Sequence, residues 1–292
     1  MSLVEQAIAR MRNQANAAKA GVPSQPAAPG SIVDQSADPA KATKHTTLDT
    51  VGLRAAGYLP EESKERQFTE HYRRIKRPLI DKALSRSAAA GEPQVIMITS
   101  ALPGDGKTFT SINLALSMAL ERDISVLLVD CDVAKRRSSQ VLGLYEERGL
   151  LDALVDDSVD IESLVVQTNV RGLSILPAGR RVEATAELLS SNRMRQIVAN
   201  LCARNPRRII VMDSPPLLIT NEGRTLVKIA GQVVLVVRAG QTPRLAVQDA
   251  VGLFDAQQAG GIILAQVAVG SGDGYYDGYG SYAAYGAEVN EL

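Results

Sequence analysis

Apolar residues form short, uninterrupted runs between residues 94 and 269, and amphipathic stretches separate these runs. Such runs are typical of strands that are buried on both faces of a parallel sheet. The predicted strands are Val95–Thr99, Val126–Asp130, Leu173–Pro177, Ile209–Asp213, Val233–Val237 and Ile262–Val269. The predicted helices between them include Thr108–Glu121, Asn192–Ala203 and Pro243–Gln257. This alternation predicts an α/β fold with a mostly parallel sheet covered by helices on both faces.

The N-terminal part has a different pattern. Residues 1–20 are predicted to form a short amphipathic helix, because Ser2 and Glu5 match a capping box and apolar residues follow at helical spacing. This helix could be a docking peptide, or the segment could be disordered and have no function. Residues 21–60, rich in Pro, Ala, Ser and Gln, are predicted to be a flexible linker.

The remaining segments are a domain and a tail. Residues 61–269 are assigned to one domain that begins with a basic helix over residues 61–88, which Pro78 is expected to kink or interrupt. Residues 270–292 form a Gly/Tyr-rich segment with no helix or strand period, so we expect a mobile tail. Taken alone, this tail could equally be a low-complexity end with no acceptor function.

Composition narrows the class of protein. Lys plus Arg and Asp plus Glu both total 32, so no net charge favours a nucleic-acid partner. Two cysteines without metal spacing suit a reducing compartment. No apolar run approaches the roughly 18 residues that a membrane helix needs. We therefore expect a soluble, cytoplasmic protein.

The first predicted strand leads into the stretch SALPGDGKT, which comes close to the phosphate-loop pattern G-x-x-x-x-G-K-[ST]. Ala101 replaces the first glycine, which is acceptable if that position needs no positive φ. Glycines let backbone N–H groups surround an anion, and the following helix adds its dipole. The predicted nucleotide-binding residues of the loop are Pro103, Gly104, Asp105, Gly106, Lys107, Thr108 and Phe109.

Carboxylates end two further predicted strands. Asp130 and Asp132 follow one strand on the same side of the chain, and Asp213 ends another. Mg²⁺ prefers a few oxygen ligands together with water and phosphate oxygens. The pattern therefore predicts a Mg²⁺ site beside the phosphate loop, with one carboxylate left over as a base.

These motifs together resemble the bacterial tyrosine kinases, P-loop NTPases that control exopolysaccharide chain length and export. The likeness rests on PGDGKT, VLLVDCDVAKR, IIVMDSPPLL and the tyrosine-rich tail. It is nearest to the exosortase-associated tyrosine autokinases, through MSLVEQA, RRIKRPL and LSILPAGRR. The resemblance runs through most of the chain outside the linker.

The resemblance implies ATP and Mg²⁺ as cofactors and assigns roles to individual residues. Lys107, Asp130 and Asp132 would be catalytic, with Asp130 activating the attacking tyrosine. Thr108, Asp132 and Asp213 would hold Mg²⁺. The implied phosphoacceptors are Tyr275, Tyr276, Tyr279, Tyr282 and Tyr285, modified in trans within a homo-oligomer. Arg73, Lys76 and Arg77 would contribute to oligomerisation.

The resemblance also implies a partner, a separate membrane chain-length protein that would recruit this chain to the inner face of the cytoplasmic membrane.

Two departures from the family pattern affect the expected site. Ala265 and Gln266 replace the residues that usually help read adenine, and Gln266 is the expected substitute. Lys135 stands where many relatives carry Arg. Its role could be to bind phosphate or to contribute to an interface between copies, and the sequence leaves both open.

Two other functions fit part of the pattern. A partitioning or positioning ATPase of the same branch would usually carry an additional lysine near the start of the loop, where this chain has Ala101 and Leu102. A nucleotide-binding regulatory scaffold without transfer activity is the other alternative, and the intact lysine and carboxylates argue against it.

Overall fold

The computed structural model describes residues 44–90 and 94–266 of the 292-residue chain. The predicted N-terminal helix over residues 1–20 and the tail over residues 270–292 lie outside the described residues. So do the five predicted phosphoacceptor tyrosines and most of the predicted linker.

An eight-stranded sheet forms the centre of the described part, in the order β1-β4-β5-β3-β6-β2-β7-β8. All neighbouring strands are parallel except β4 and β5. The strands are β1 (His45–Thr46), β2 (Val95–Ser100), β3 (Ser125–Asp130), β4 (Val166–Thr168), β5 (Leu173–Leu176), β6 (Arg208–Asp213), β7 (Gln232–Arg238) and β8 (Ala259–Ala265). The six predicted strands all exist, and β1 and β4 are additions at one edge.

Nine α-helices connect or flank these strands in the described residues. They are α1 (Thr50–Ala55), α2 (Glu65–Ala90), α3 (Lys107–Met118), α4 (Arg137–Val141), α5 (Leu150–Val155), α6 (Thr185–Ser190), α7 (Asn192–Arg204), α8 (Asn221–Val227) and α9 (Arg244–Val251). Short 3-10 turns occupy Glu62–Lys64, Ile161–Leu164 and Ala256–Gln258. The helix α9 ends well before the predicted limit at Gln257, and α2 continues through Pro78 without the expected break.

The core has two layers, one on each face of the sheet, because strand side chains alternate between the faces. On one face, residues such as Met97 and Leu127 pack against α5, α6, α7, α8 and α9. On the other face, residues such as Ile98 and Leu128 pack against α1, α2 and α3. This arrangement confirms the predicted α/β class and its mostly parallel sheet.

The predicted linker is wrong in its last part, because residues 44–60 belong to the folded domain. Here β1 pairs with β4 at the sheet edge, and α1 follows with Asp49 capping its first turn. Leu48, Leu53 and Leu59 are buried in the same core layer as α2 and α3. These widely spaced leucines lack the regular period that identifies an element from sequence, so the composition misled the prediction.

The long helix α2 is fastened to α3 along its length. Phe68 meets Phe109 edge to face with ring centroids 5.9 Å apart. Farther along, the buried Lys76 ammonium donates to the Ser117 carbonyl at 2.6 Å and pairs with Glu121 at 2.8 Å. Lys76 is therefore used within its own chain, and its predicted role in oligomerisation stays a prediction. Arg73 and Arg77 are exposed on the same helix, and their predicted role in oligomerisation stays a prediction.

Within residues 44–90 and 94–266, no helix is both long and apolar enough to span a membrane.

Candidate nucleotide and phosphoryl-transfer site

The stretch between β2 and α3 has the backbone that a phosphate loop requires. Gly104 and Gly106 have φ of 89° and 99°, in the left-handed region that favours glycine. Ala101 is fully buried and is not among the residues with positive φ, so the missing first glycine costs no backbone strain. Pro103 and Gly104 are exposed at the tip of the loop. The loop then enters α3 at Lys107, with Gly106 as its N-cap.

The Asp105 side chain fixes the loop from inside. Its Oδ1 accepts a hydrogen bond from Thr242 Oγ1 at 2.8 Å, and its Oδ2 accepts from the Leu102 N–H at 3.3 Å. Thr242 Oγ1 also accepts from the Arg238 N–H at the end of β7. The phosphate loop is thereby tied to the β7–α9 connection, and the Asp105 carboxylate is buried with both oxygens engaged.

The sheet brings the loop and the predicted carboxylates together. The central order β3-β6-β2 places the carboxyl ends of these strands side by side. Asp213 on β6 is in register with Asp130 on β3 and with Ile98 on β2. Asp132 lies two residues beyond Asp130, in the segment after β3, and its charge influences the pKa values of Lys107 and Asp213. All three carboxylates are buried, and Asp213 contacts Ser111 of α3.

Lys107 is the positive counterpart of these carboxylates. Its side chain is buried, and burial lowers the pKa of its ammonium. The charges of Asp213 and Asp132 oppose that lowering, while the nearby charge of Lys135 adds to it. Lys135 itself is exposed. Two cations thus approach the phosphate loop from α3 and from the segment after β3, which is a favourable environment for an anion.

Asp213 is held by hydroxyl groups from two helices. Its Oδ1 accepts from Ser111 Oγ of α3 at 3.2 Å, and its Oδ2 accepts from Ser138 Oγ of α4 at 2.5 Å. Burial raises the pKa of the Asp213 carboxyl, and Ser138, Lys107 and the Thr108 hydroxyl counteract that rise. The structure therefore brings Thr108 and Asp213 together, as the metal prediction requires.

Asp130 has one oxygen satisfied and one unsatisfied. Its Oδ2 accepts from both the N–H and the Oγ of Ser139, each at 2.7 Å. Its Oδ1 is buried and has no hydrogen-bond partner in the part of the chain that is described. Burial, with a further contribution from the Asp213 charge, raises the pKa of Asp130 to about 7, while the Ser139 hydrogen bonds lower it. A carboxyl group with such a pKa can accept a proton near neutral pH.

The donor set fits Mg²⁺ better than a metal that needs several protein ligands. Among residues 44–90 and 94–266, no group of three or more His, Cys, Asp or Glu side chains is placed to hold a metal ion. Mg²⁺ commonly uses one or two carboxylates and takes its other ligands from phosphate and water. The predicted ligands Asp132, Asp213 and Thr108 are of this type, and Asp130 Oδ1 is a further buried oxygen without a partner among the described residues. Their role in holding Mg²⁺ stays a prediction.

Two of the predicted nucleotide-binding side chains have other surroundings. The Phe109 ring packs against Phe68, so its side chain belongs to the α2–α3 contact instead of the phosphate loop. Gln266 is exposed just after β8 with φ of 54°. The preceding Ala265 approaches the loop, because a Cβ built on Gly106 would lie 3.5 Å from the Ala265 Cβ. Gln266 is therefore close in sequence to a loop neighbour, and its contact with adenine stays a prediction.

Sequence reasoning missed the hydroxyl groups that hold the carboxylates and the loop. These are Ser111, Ser138, Ser139 and Thr242. Serine and threonine near helix starts are ordinary capping residues, so their type alone does not indicate this role. Only the strand register, which places Asp130 next to Asp213, reveals why two consecutive serines are buried there.

The comparisons with known proteins agree with this geometry. The AAA_31 family model, described as an AAA domain, matches residues 93–249, more than half of the chain. The tyrosine-protein kinase YwqD of Bacillus subtilis is 32% identical over 176 residues, which cover 60% of this chain and 70% of YwqD. The chain belongs to the bacterial tyrosine kinase family. Its fold is accordingly that of a P-loop NTPase, as predicted.

Two further relatives show how far the likeness extends. The solved kinase domain of VpsO matches with a TM-score of 0.55 and 30% identity, covering 70% of this chain and 98% of that domain. The succinoglycan biosynthesis transport protein ExoP of Rhizobium meliloti is 28% identical over 69% of this chain, but this match spans only 25% of ExoP. This chain thus matches nearly the whole of the VpsO kinase domain but only a small part of the larger protein ExoP. The narrower likeness to exosortase-associated autokinases stays a prediction.

Proposed function

We propose that the protein is an ATP-dependent tyrosine autokinase that phosphorylates its own C-terminal tyrosine cluster in trans. The observation that carries this proposal is the convergence of Lys107 with Asp130, Asp132 and Asp213 at the carboxyl ends of three adjacent strands. A phosphoryl-transfer site needs positioned charge and a base more than it needs covalent chemistry. The membership of the tyrosine kinase family makes tyrosine the first acceptor to test.

Each buried group has a distinct task in the proposed reaction. The Lys107 ammonium and the N–H groups of the loop would bind the β- and γ-phosphates of ATP. When bound, Mg²⁺ would neutralise phosphate charge and orient the transferred group, and Thr108, Asp132 and Asp213 would hold it. Asp130 would accept the proton of the attacking hydroxyl through Oδ1, since Ser139 occupies Oδ2.

The proposed transfer is balanced without any further reactant. The tyrosine oxygen forms a bond to the γ-phosphorus while the bond between that phosphorus and ADP breaks. The phenolic proton passes to Asp130, whose pKa of about 7 suits that role. A tyrosine hydroxyl ionises near pH 10 on its own, so the transfer depends on such a base.

The acceptors in this proposal are Tyr275, Tyr276, Tyr279, Tyr282 and Tyr285. Five of the eight tyrosines of the chain stand in this short segment. Each phosphate would add about −1.5 to −2 charges at neutral pH. Repeated modification would therefore make neighbouring tails in an oligomer repel each other, which supplies a switch between assembled and dispersed forms.

A role in exopolysaccharide polymerisation and export is the wider part of the proposal. Its support is the name of the relative ExoP, a transport protein of succinoglycan biosynthesis. We propose that a separate membrane chain-length protein recruits and activates this chain at the inner face of the membrane. The cytoplasmic segment of such a partner, added as a peptide, should raise the autophosphorylation rate; a rate unchanged at saturating peptide would contradict the recruitment step.

The direct test is to incubate the purified chain with ATP and Mg²⁺ and to map phosphotyrosine by mass spectrometry. Wild type should carry phosphate on residues 275–285, and Lys107→Met should carry none. Lys228→Met is the matched control, because Lys228 is exposed at the end of α8. Transfer in trans should appear when Lys107→Met, which keeps its tail, is mixed with an active chain that ends at Gly270.

The result separates the proposed function from its alternatives. Hydrolysis of ATP by wild type without modified tyrosine, even with the partner peptide, would indicate a cycling ATPase. Nucleotide binding with neither hydrolysis nor transfer would indicate a regulatory scaffold. Phosphate found only when Lys107 and the tail are in the same chain would contradict transfer in trans.

A further inference from the structure

Two consecutive serines at the start of α4 each hold one of the buried site carboxylates. Ser138 Oγ donates to Asp213 Oδ2 at 2.5 Å, and Ser139 Oγ donates to Asp130 Oδ2 at 2.7 Å. Both serines are almost completely buried. One short helix therefore binds the ends of two neighbouring strands, β3 and β6, which carry carboxylates in direct register.

Ser139 has a further contact that extends this arrangement. Its Oγ accepts a hydrogen bond from the Ala178 N–H at 2.9 Å, in the segment that follows β5. The hydroxyl donates its proton to Asp130, and one of its two lone pairs accepts from Ala178, so it acts as donor and acceptor at once. The Ala178 carbonyl in turn accepts from the Leu151 N–H of α5 at 2.9 Å. Asp130 is thus connected through one hydroxyl to a segment that carries no site carboxylate.

The two carboxylates repel each other, and this makes the serines more than packing residues. Asp130 and Asp213 are directly opposite each other on the neighbouring strands β3 and β6, so two buried acidic groups lie side by side. Without fixed donors, like charges in a buried site separate or take up a proton. The serine hydroxyls oppose this by binding one oxygen of each carboxylate, and they leave Asp130 Oδ1 without a partner among the described residues.

We propose that Ser138 and Ser139 are positioning residues for phosphoryl transfer: Ser139 orients Asp130, and Ser138 orients Asp213. They act only through these carboxylates and touch neither nucleotide nor acceptor. The statement that Ser139 orients Asp130 rests on the proposed kinase function. The statement that Ser138 orients Asp213 requires only that nucleotide binds together with Mg²⁺.

The test for Ser139 is a double-mutant cycle with Asp130. Ser139→Ala should lower kcat for autophosphorylation roughly tenfold, as expected for a lost hydrogen bond to a charged group, with little change in KM for ATP. In an Asp130→Asn background, the same substitution should lower kcat less than about twofold, because the group through which Ser139 acts is already altered. An equal loss in both backgrounds would overturn the proposal.

The test for Ser138 uses binding instead of turnover. The affinity for ADP is measured with and without Mg²⁺ for wild type, Ser138→Ala, Asp213→Asn and the double variant. Ser138→Ala should remove most of the Mg²⁺-dependent gain in affinity and should have no further effect once Asp213 is changed. A full Mg²⁺-dependent gain in Ser138→Ala would overturn the proposal.

Matched variants separate positioning from stability. Ser174→Ala removes another buried serine, whose Oγ donates to the Val126 carbonyl at 3.3 Å away from the carboxylates, and should leave both readouts unchanged. If an alanine variant does not fold, Ser138→Cys or Ser139→Cys keeps the volume while replacing the hydroxyl by a weak donor. Should wild type transfer no phosphate even with the partner peptide, the proposed kinase function fails, and the ADP measurement still decides the inference for Ser138.

Discussion

The Thr242 hydroxyl donates a 2.8 Å hydrogen bond to Asp105 Oδ1 and so joins the phosphate loop to the end of β7. The two residues are 137 positions apart in the chain, and the bond lies in a partly buried place. Asp105 is itself buried, so its carboxylate has few alternative donors. The conformation of the loop therefore depends on a residue outside the recognised motif.

We expect Thr242→Val to weaken nucleotide binding although this residue is outside the loop. The substitution keeps the shape of the side chain and removes the hydroxyl that donates to Asp105. A hydrogen bond to a charged group contributes about 1.5–3 kcal/mol. We expect part of this loss to appear in binding, as a roughly three- to tenfold weaker affinity for ADP. Isothermal titration measures it. Thr50→Val, at the start of α1, is the control and should bind ADP as wild type does.

The sequence predicted those parts of the molecule that have a local signal. Buried strands appear as apolar runs, and the phosphate loop has its glycines and lysine at fixed positions, so both could be found without coordinates. The segment around Leu48 and Leu53 could not, because its leucines are spaced irregularly and pack on residues far away in the chain. The same limit applies to Ser138 and Ser139, whose partners are defined only by strand order.

Burial of the segment before α2 gives a prediction on stability. Leu53→Ala should destabilise the domain by about 2–5 kcal/mol, because it removes a buried side chain and leaves a cavity. Val51→Ala is the matched control: Val51 is two residues away, and 77% of it is exposed. Urea denaturation measures both variants. Equal midpoints for the two would restore the linker interpretation of residues 44–60.

The internal position of Lys76 leads to a prediction that separates stability from assembly. Lys76→Met should destabilise the domain by about 1–3 kcal/mol, because the Ser117 carbonyl loses its donor and Glu121 its partner. Lys64→Met should change stability by less than about 0.5 kcal/mol, since Lys64 forms an exposed pair with Glu61.

Sedimentation of the same variants tests the contact between copies. Arg73→Ala and Arg77→Ala should reduce any self-association, because these side chains are exposed on α2. Lys76→Met should leave the oligomeric state of the folded protein unchanged. A Lys76 variant with normal stability and altered oligomeric state would show that Lys76 acts between copies after all.

The last prediction concerns the acid sensitivity of the segment after β5. Asp152 Oδ2 accepts from the N–H groups of Gly149 at 2.9 Å and Arg180 at 3.1 Å, and Oδ1 accepts from Arg180 Nε at 2.8 Å. Burial pushes the pKa of the Asp152 carboxyl upward, but these hydrogen bonds outweigh it and hold the pKa below its ordinary value of 3.8. The ionised form is therefore the one that stabilises the fold.

Asp152→Asn should destabilise the protein by about 2 kcal/mol at pH 7, because it weakens charge-assisted hydrogen bonds that fix this segment. A lowered folded-state pKa contributes stability that is fully present above the ordinary pKa and is lost as the pH falls through the folded-state pKa. The difference between wild type and Asp152→Asn should thus be constant from pH 7 to pH 5 and shrink below about pH 4. Urea midpoints at pH 7, 5 and 3 measure it, with the exposed Asp249→Asn as control. A difference that stays the same at pH 3 would show that the asparagine variant loses packing instead of the ionised carboxylate.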